Sequence, residues 1–240
     1  MNQPTRRICV AAFCLGVFVL GGCAHFRELK REIVGPSRAR LAAHAFLSPD
    51  ADVRRASILV LLAYPWGLEE PTLRGYALIA GSNDEEPTVR GIALRALGRA
   101  GTDAAGYVPQ VLDCLKDRSP DVRWDAAVAL DTIVDDRAMQ PLRDHALEDR
   151  SVDVRNASAR ALRNYRKTAA VETLAACLED RDYSVGYEAR RALVEIAGRD
   201  YGPLREDWQP LTKRIPPRPR ATPWWDLFGV TVAANDKPSN

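Results

Sequence analysis

"DRSPDVRWDAAVAL" occupies residues 117–130, and "DRSVDVRNASARAL" occupies residues 149–162. Nearly the same phrase is thus written twice, 32 residues apart. Looser versions of its V-R-x-x-A/S kernel start at Val53, Val89 and Val185, giving five copies spaced by 36, 33, 32 and 31 residues. Self-similarity at such a period marks a stacked-repeat architecture, in which each copy is one supersecondary unit.

Taking each Val as position 0, position 4 reads Ser57, Ala93, Ala126, Ser158 and Ala189. Position 8 is Leu in every copy: Leu61, Leu97, Leu130, Leu162 and Leu193. Position 7 reads Val60, Ala96, Ala129, Ala161 and Ala192, small enough for a neighbouring helix to approach closely. Positions 0, 4, 7 and 8 share one side of a 3.6-residue helix, so each copy predicts an amphipathic helix. A second helical stretch precedes each Val, as in "AAGYVPQVLDCL" and "AAVETLAACL". Pro109 and Pro141 fall in the first turns of such stretches, where proline is tolerated. Each unit is therefore helix, turn, helix, and it buries its stripe only by stacking on its neighbours.

These motifs resemble the HEAT repeat family, particularly the short PBS-lyase HEAT-like repeats, over residues 37–200. The resemblance implies an all-α, right-handed α-α solenoid (a HEAT-like superhelix) of about five helix pairs. It also implies a structural ladder tying successive repeats together. Its acids are Asp84, Asp117, Asp149 and Asp180, five residues before the Val, and its bases are Arg54, Arg90, Arg123 and Arg155, one residue after it. Ser48 replaces the acid in the first copy and Gly186 the arginine in the last, as expected of atypical terminal units.

The ends read differently. A basic start, the apolar run "ICVAAFCLGVFVL" and "GG" before Cys23 predict a signal peptide over residues 1–22. "LGGC" resembles the lipobox of bacterial lipoproteins, which implies lipidation at Cys23 and a membrane-proximal tether over residues 23–36. Ala24, rather than Asp, points to an outer-membrane location facing the periplasm. The signal segment holds Arg6 and Arg7 and no acid, which leaves 32 basic and 32 acidic side chains in the mature chain. That neutral balance argues against a nucleic-acid partner. Residues 201–220 read as a C-terminal cap and Pro/Arg linker, and residues 221–240 as an irregular Trp-rich tail. In that tail Trp224, Trp225 and Phe228 are candidates to dock on the repeats, on a partner or at a membrane interface.

Chemistry-bearing motifs are sparse. Cys114 and Cys177 share a column with Ala45, Gly81 and Ala146, which predicts small core thiols. No His-Glu dipeptide of the HEAT-repeat hydroxylase kind occurs, and no Gly-rich phosphate loop, HExxH or nucleophile elbow. No metal, cofactor or small-molecule substrate is therefore expected, and the chain is read as a non-enzyme. An enzyme or cofactor-handling protein related to HEAT-like lyases and hydroxylases is the alternative.

Positions 2, 6 and 9 point away from the apolar stripe, onto the helix that lines the concave surface in HEAT-like stacks. They supply Arg95, Trp124, Arg160, Arg163, Tyr187 and Arg191, a candidate protein-binding surface for an acidic or extended peptide. Asp131 and Glu188 dilute its positive character. The first copy, "ASILVLLAYPWG", is apolar nearly all round, so Ile58, Leu59 and Leu62 require cover from the preceding segment, another subunit or a membrane. The expected function is that of a lipid-anchored envelope scaffold for an unidentified protein partner.

Overall fold

Four of the five repeats turn on one carboxylate. Asp84, Asp117, Asp149 and Asp180 each accept the backbone N–H two residues ahead, at 2.8–3.0 Å, just where the next helix begins. Ser48 makes the same contact with the Asp50 amide at 3.2 Å, so a hydroxyl replaces the acid in the first copy. Such Asx-type turns satisfy donors that a helix start leaves without partners. Pro87 and Pro120 then occupy the first helical positions, where the missing N–H costs nothing.

The computed structural model describes residues 37–216, and among these every regular element is helical. The chain forms two compact units, which divide between Gly75 and Tyr76. In the first, α1 (Arg38–Leu47) pairs with α2 (Ala51–Leu61), and a 3-10 turn follows at Pro65–Leu68. Ser37 caps α1 and Asp50 caps α2 through side-chain oxygens. Trp66 stacks on Tyr64 with centroids 5.2 Å apart, and the Arg38 guanidinium lies 5.0 Å from the Trp66 ring. Helix α3 (Thr72–Leu78) runs across the division and ends in a π-helical turn at Ile79–Asn83.

The second unit is an α-α solenoid. Its elements are α4 (Pro87–Ala100), α5 (Val108–Cys114), α6 (Pro120–Thr132), α7 (Met139–Glu148), α8 (Val152–Leu162), α9 (Thr168–Cys177), α10 (Tyr183–Ala197) and α11 (Gln209–Lys213). Helices α4, α6, α8 and α10 pack on one another in that order, while α7, α9 and α11 form a parallel row. Within this unit positions 0, 4, 7 and 8 of each repeat are buried, with no side chain above 2% exposure. The small residues let backbones meet: a Cβ on Gly98 of α4 would lie 3.0 Å from the Ala129 Cα of α6. The last repeat closes on Trp208, fully buried, whose indole donates to the Gly202 carbonyl at 3.0 Å.

The first copy departs from the pattern. Ser57 and Leu61 are buried, but Val53 and Val60 are 36% and 40% exposed. Of the residues thought to need cover, Ile58 is fully buried and Leu59 remains 52% exposed. The repeat pattern identifies which side of a helix is apolar; burial further requires a neighbour on that side.

Both cysteines are free thiols within the stack. The Cys114 Sγ donates to the Ala80 carbonyl at 2.9 Å and the Cys177 Sγ to the Ala146 carbonyl at 3.6 Å, each reaching the preceding repeat. Burial pushes both up to about 12. Since the thiolate is the nucleophile, neither should react with iodoacetamide at neutral pH in the folded chain. Peptide mass mapping is expected to find both labelled only after denaturation; rapid native labelling would show that the repeats pack loosely.

Candidate interaction surface

The ladder residues and the proposed binding residues lie on different parts of the second unit. Arg90 grips Asp117 through Nε and Nη2, both at 2.8 Å. Arg123 grips Asp149 at 2.8 and 2.9 Å, and Arg155 grips Asp180 at the same distances. Each arginine also donates backward to the turn of its own repeat: Arg90 to the Asp84 carbonyl, Arg123 to that of Asp117 and Arg155 to that of Asp149. One guanidinium thus closes its own turn and the next. Arg54, in the first unit, donates to the carbonyls of Ser48 and Pro49 at 2.8 and 3.0 Å.

These rungs are sheltered from water. Arg155 and Asp180 side chains are 2% and 9% exposed, and Arg90 and Asp117 are 5% each. His145 Nδ1 adds a contact to Asp149 at 2.9 Å. Burial alone would raise the Asp149 carboxyl, but bonds from Arg123, the Ser151 amide and His145 outweigh it and hold the group at about 2. Asp117 and Asp180 are held below the usual carboxylate range by the same balance. Open clefts of about 380 and 450 Å³ lie over the Arg123–Asp149 and Arg155–Asp180 rungs, and both are lined by acids and bases together. Among the described residues no group of three or more His, Cys, Asp or Glu is placed to hold a metal ion.

Five of the six candidate binding residues stand on α4, α6, α8 and α10 and Arg163 caps the end of α8, but their arginines are not free positive charges. Arg95 donates to Asp125 at 2.6 and 3.2 Å, with its guanidinium 5.8 Å from the Trp124 ring. Arg160 and Arg163 share Asp131, at 3.3 and 3.1 Å, and Arg163 also reaches Glu195 at 3.6 Å. Arg191 pairs with Glu188 at 2.8 Å and lies 6.0 Å from the Tyr187 ring. The dilution of positive character expected from Asp131 and Glu188 is joined by Asp125 and Glu195, so this is a face of compensated ion pairs. What it presents outward is aromatic: Tyr187 is 53% exposed, Tyr183 is 86% exposed and 6.4 Å from it, and Trp124 is half-buried.

Three residues of this face escaped the sequence reading. Asp125 is 2% exposed, and burial raises its carboxyl above the usual range despite the Arg95 contact. It fits only because position 91 is glycine: a Cβ there would lie 2.5 Å from Asp125 Oδ2. Asn156 stands one repeat from both Trp124 and Tyr187, donates to the Ser184 hydroxyl at 2.9 Å, and keeps a buried Oδ1 without a partner. Tyr183 lies outside positions 2, 6 and 9, so their selection passed over it. Cys23, Trp224, Trp225 and Phe228 lie outside the described residues.

Comparison with known proteins agrees with this geometry. Residues 76–163 match the family model for HEAT repeats, and residues 154–180 match the PBS lyase HEAT-like repeat. No match was found among curated proteins. Among solved structures, an engineered protein is similar at 23% identity with a TM-score of 0.53, covering 64% of this chain and 76% of that one. The Escherichia coli protein YibA is similar at 22% identity and a TM-score of 0.54, covering 69% of this chain and 62% of its own. A designed armadillo repeat protein is similar at 18% identity and a TM-score of 0.54, covering 72% and 86%. At these identities the likeness is one of fold.

Two outcomes follow from the rungs. Arg123→Ala leaves the buried Asp149 with only His145 and the Ser151 amide as partners and is expected to cost about 3–5 kcal/mol in urea unfolding. Arg123→Met with Asp149→Leu should regain most of that, less about 1 kcal/mol for the lost turn bond. Because the folded Asp149 carboxyl lies below its ordinary 3.8, its contribution is present above that value and lost as pH falls toward 2. Thermal melts from pH 6 downward should therefore fall less steeply below about pH 4 in Asp149→Asn than in wild type.

Proposed function

We propose that this chain, a HEAT-repeat protein over residues 76–180, is an adaptor that holds another protein against the exposed face of α6, α8 and α10. The observation that carries this reading is the aromatic row on a rigid frame. Trp124, Tyr183 and Tyr187 project from helices fixed by buried rungs, so their contact area is offered with little ordering cost. The arginines beside them are already paired, so they orient a partner and add little net attraction. The fitting ligand is a peptide or protein surface with apolar side chains and modest charge.

The cellular setting completes the proposal. "LGGC" and the apolar run before it support lipid attachment at Cys23 and residence in a bacterial envelope, with Ala24 favouring the outer membrane. Two or more acyl chains hold a protein stably on a bilayer, whereas one holds it marginally. The chemistry-poor face supports a binding role over catalysis.

Crosslinking and affinity recovery from the native envelope test the two parts separately. Wild type is expected to recover defined partners, and Trp124→Ala with Tyr187→Ala to lose them at least tenfold, the effect of one or two hot-spot residues at about 2 kcal/mol each. Equal recovery by both proteins would show that the partner binds elsewhere. Cys23→Ser should release the protein from the membrane fraction and abolish labelling with a fatty-acid analogue; unchanged fractionation would remove the anchor from the proposal.

A further inference from the structure

Two kinds of carboxylate are gripped by arginine in the second unit, and they differ in what else they receive. Asp117, Asp149 and Asp180 stand at turns, and each accepts a backbone amide in addition to its guanidinium. Asp125 stands in the middle of α6, and among the described residues its hydrogen bonds come from Arg95 of α4 alone, at 2.6 and 3.2 Å. The pair is also lopsided. The Asp125 side chain is 3% exposed and that of Arg95 is 56% exposed, so a buried charge is balanced by one that water can draw away.

The surroundings of Asp125 set it apart electrically as well. Burial raises its carboxyl above the usual range, and Asp121, one turn earlier on α6, adds like charge. No cation besides Arg95 offsets this from the elements packed on α6. Arg90 of α4 is committed to Asp117, Arg155 of α8 to Asp180, and Arg160 and Arg163 to Asp131. The nearby acids Asp113 on α5, which pairs with Lys116, and Asp103 on the 3-10 turn at Gly101–Tyr107 make no bond to it. The rung acids are held the opposite way, Asp149 at about 2. Falling pH therefore protonates Asp125 before it reaches the rungs.

We infer that Asp125 is a positioning residue for Trp124: through Arg95 it fixes the indole on the partner-binding face, and its protonation loosens that face while the frame stays folded. The Arg95 guanidinium lies 5.8 Å from the Trp124 ring, within reach of a cation–π contact, and the ring is half-buried. Gly91 makes the arrangement possible, since a Cβ there would lie 2.5 Å from Asp125 Oδ2. A neutral carboxyl gives up its ionic hold, the exposed arginine turns to water, and Trp124 loses the neighbour that orders it. A partner must then freeze the ring again, which weakens binding about three- to tenfold. The inference rests on the adaptor reading and adds its regulation: the hold is present while Asp125 is ionised and is lost as pH falls through its titration.

The test labels the full chain with 5-fluorotryptophan and follows the Trp124 fluorine resonance, assigned by its absence in Trp124→Phe. From pH 7 to about pH 3.5 that resonance is expected to shift, with a midpoint above the ordinary 3.8, while the Trp208 resonance and the helical circular dichroism hold constant. Asp125→Asn should lack the shift, and Arg95→Gln should reduce it severalfold. Partner recovery by wild type is expected to fall about three- to tenfold over the same range and to be independent of pH in Asp125→Asn. A wild-type resonance insensitive to pH, a shift that persists in Asp125→Asn, or an undiminished shift in Arg95→Gln would each overturn the inference. So would circular dichroism that collapses before the resonance moves, since the frame then yields first. The fluorine signal is read without a partner, so it decides this coupling even where equal recovery by Trp124→Ala with Tyr187→Ala removes the adaptor reading.

Discussion

The fold depends on a single bifunctional contact: a buried carboxylate that starts one helix and is gripped by an arginine of the repeat before it. Asp117, Asp149 and Asp180 each spend one oxygen on a backbone amide while both oxygens receive a guanidinium. Neither role is sufficient alone. A turn acid without its arginine would be a buried charge lacking a partner, and an arginine without the acid would be a desolvated cation. Coupling the two makes the turn geometry of one repeat conditional on the presence of the next. Apolar packing supplies the driving force, since position 8 is a fully buried leucine in every copy, but it is non-directional. The rungs set the register.

That division of labour explains where the functional surface can lie. The ladder occupies the turns, and the apolar positions occupy the sides of the helices that meet their neighbours. The remaining face of α6, α8 and α10 is freer to vary, and there the repeat loosens: one column holds Trp124, Asn156 and Tyr187, two aromatic rings on either side of an amide. Ion pairs across that face, such as Arg95–Asp125 and Arg163–Asp131, cross-brace adjacent repeats and neutralise one another. The surface is consequently stiff, aromatic and close to neutral.

Columns made the fold legible in the sequence. A residue type that returns every 31–36 positions must meet the same physical demand each time, so the buried leucines, the small residues at position 7 and the Asp and Arg of the turns could all be read by alignment. The partners of the surface arginines could not, because Asp125, Asp131 and Glu195 occur once each and meet Arg95, Arg160 and Arg163 only through stacking. Val53 and Val60 illustrate the other limit. They obey the column rule and are nevertheless exposed, since a pattern specifies which side seeks cover without supplying the covering helix. Gly91 was readable in principle: a glycine inside a helix opposite an acid one repeat later signals close approach.

If the chain is a row of mutually supporting repeats, any one interior repeat is dispensable. Deleting residues 118–149 removes one 32-residue period and joins Asp117 to Arg150, which leaves Arg90 its acid and gives Arg155 the Asp117 carbonyl in place of that of Asp149. Circular dichroism and urea unfolding of the shortened chain measure this directly. The expected result is unchanged helicity per residue with a cooperative transition at lower denaturant. A chain that loses its helical signal, or unfolds without a transition, would show that the repeats form one indivisible core.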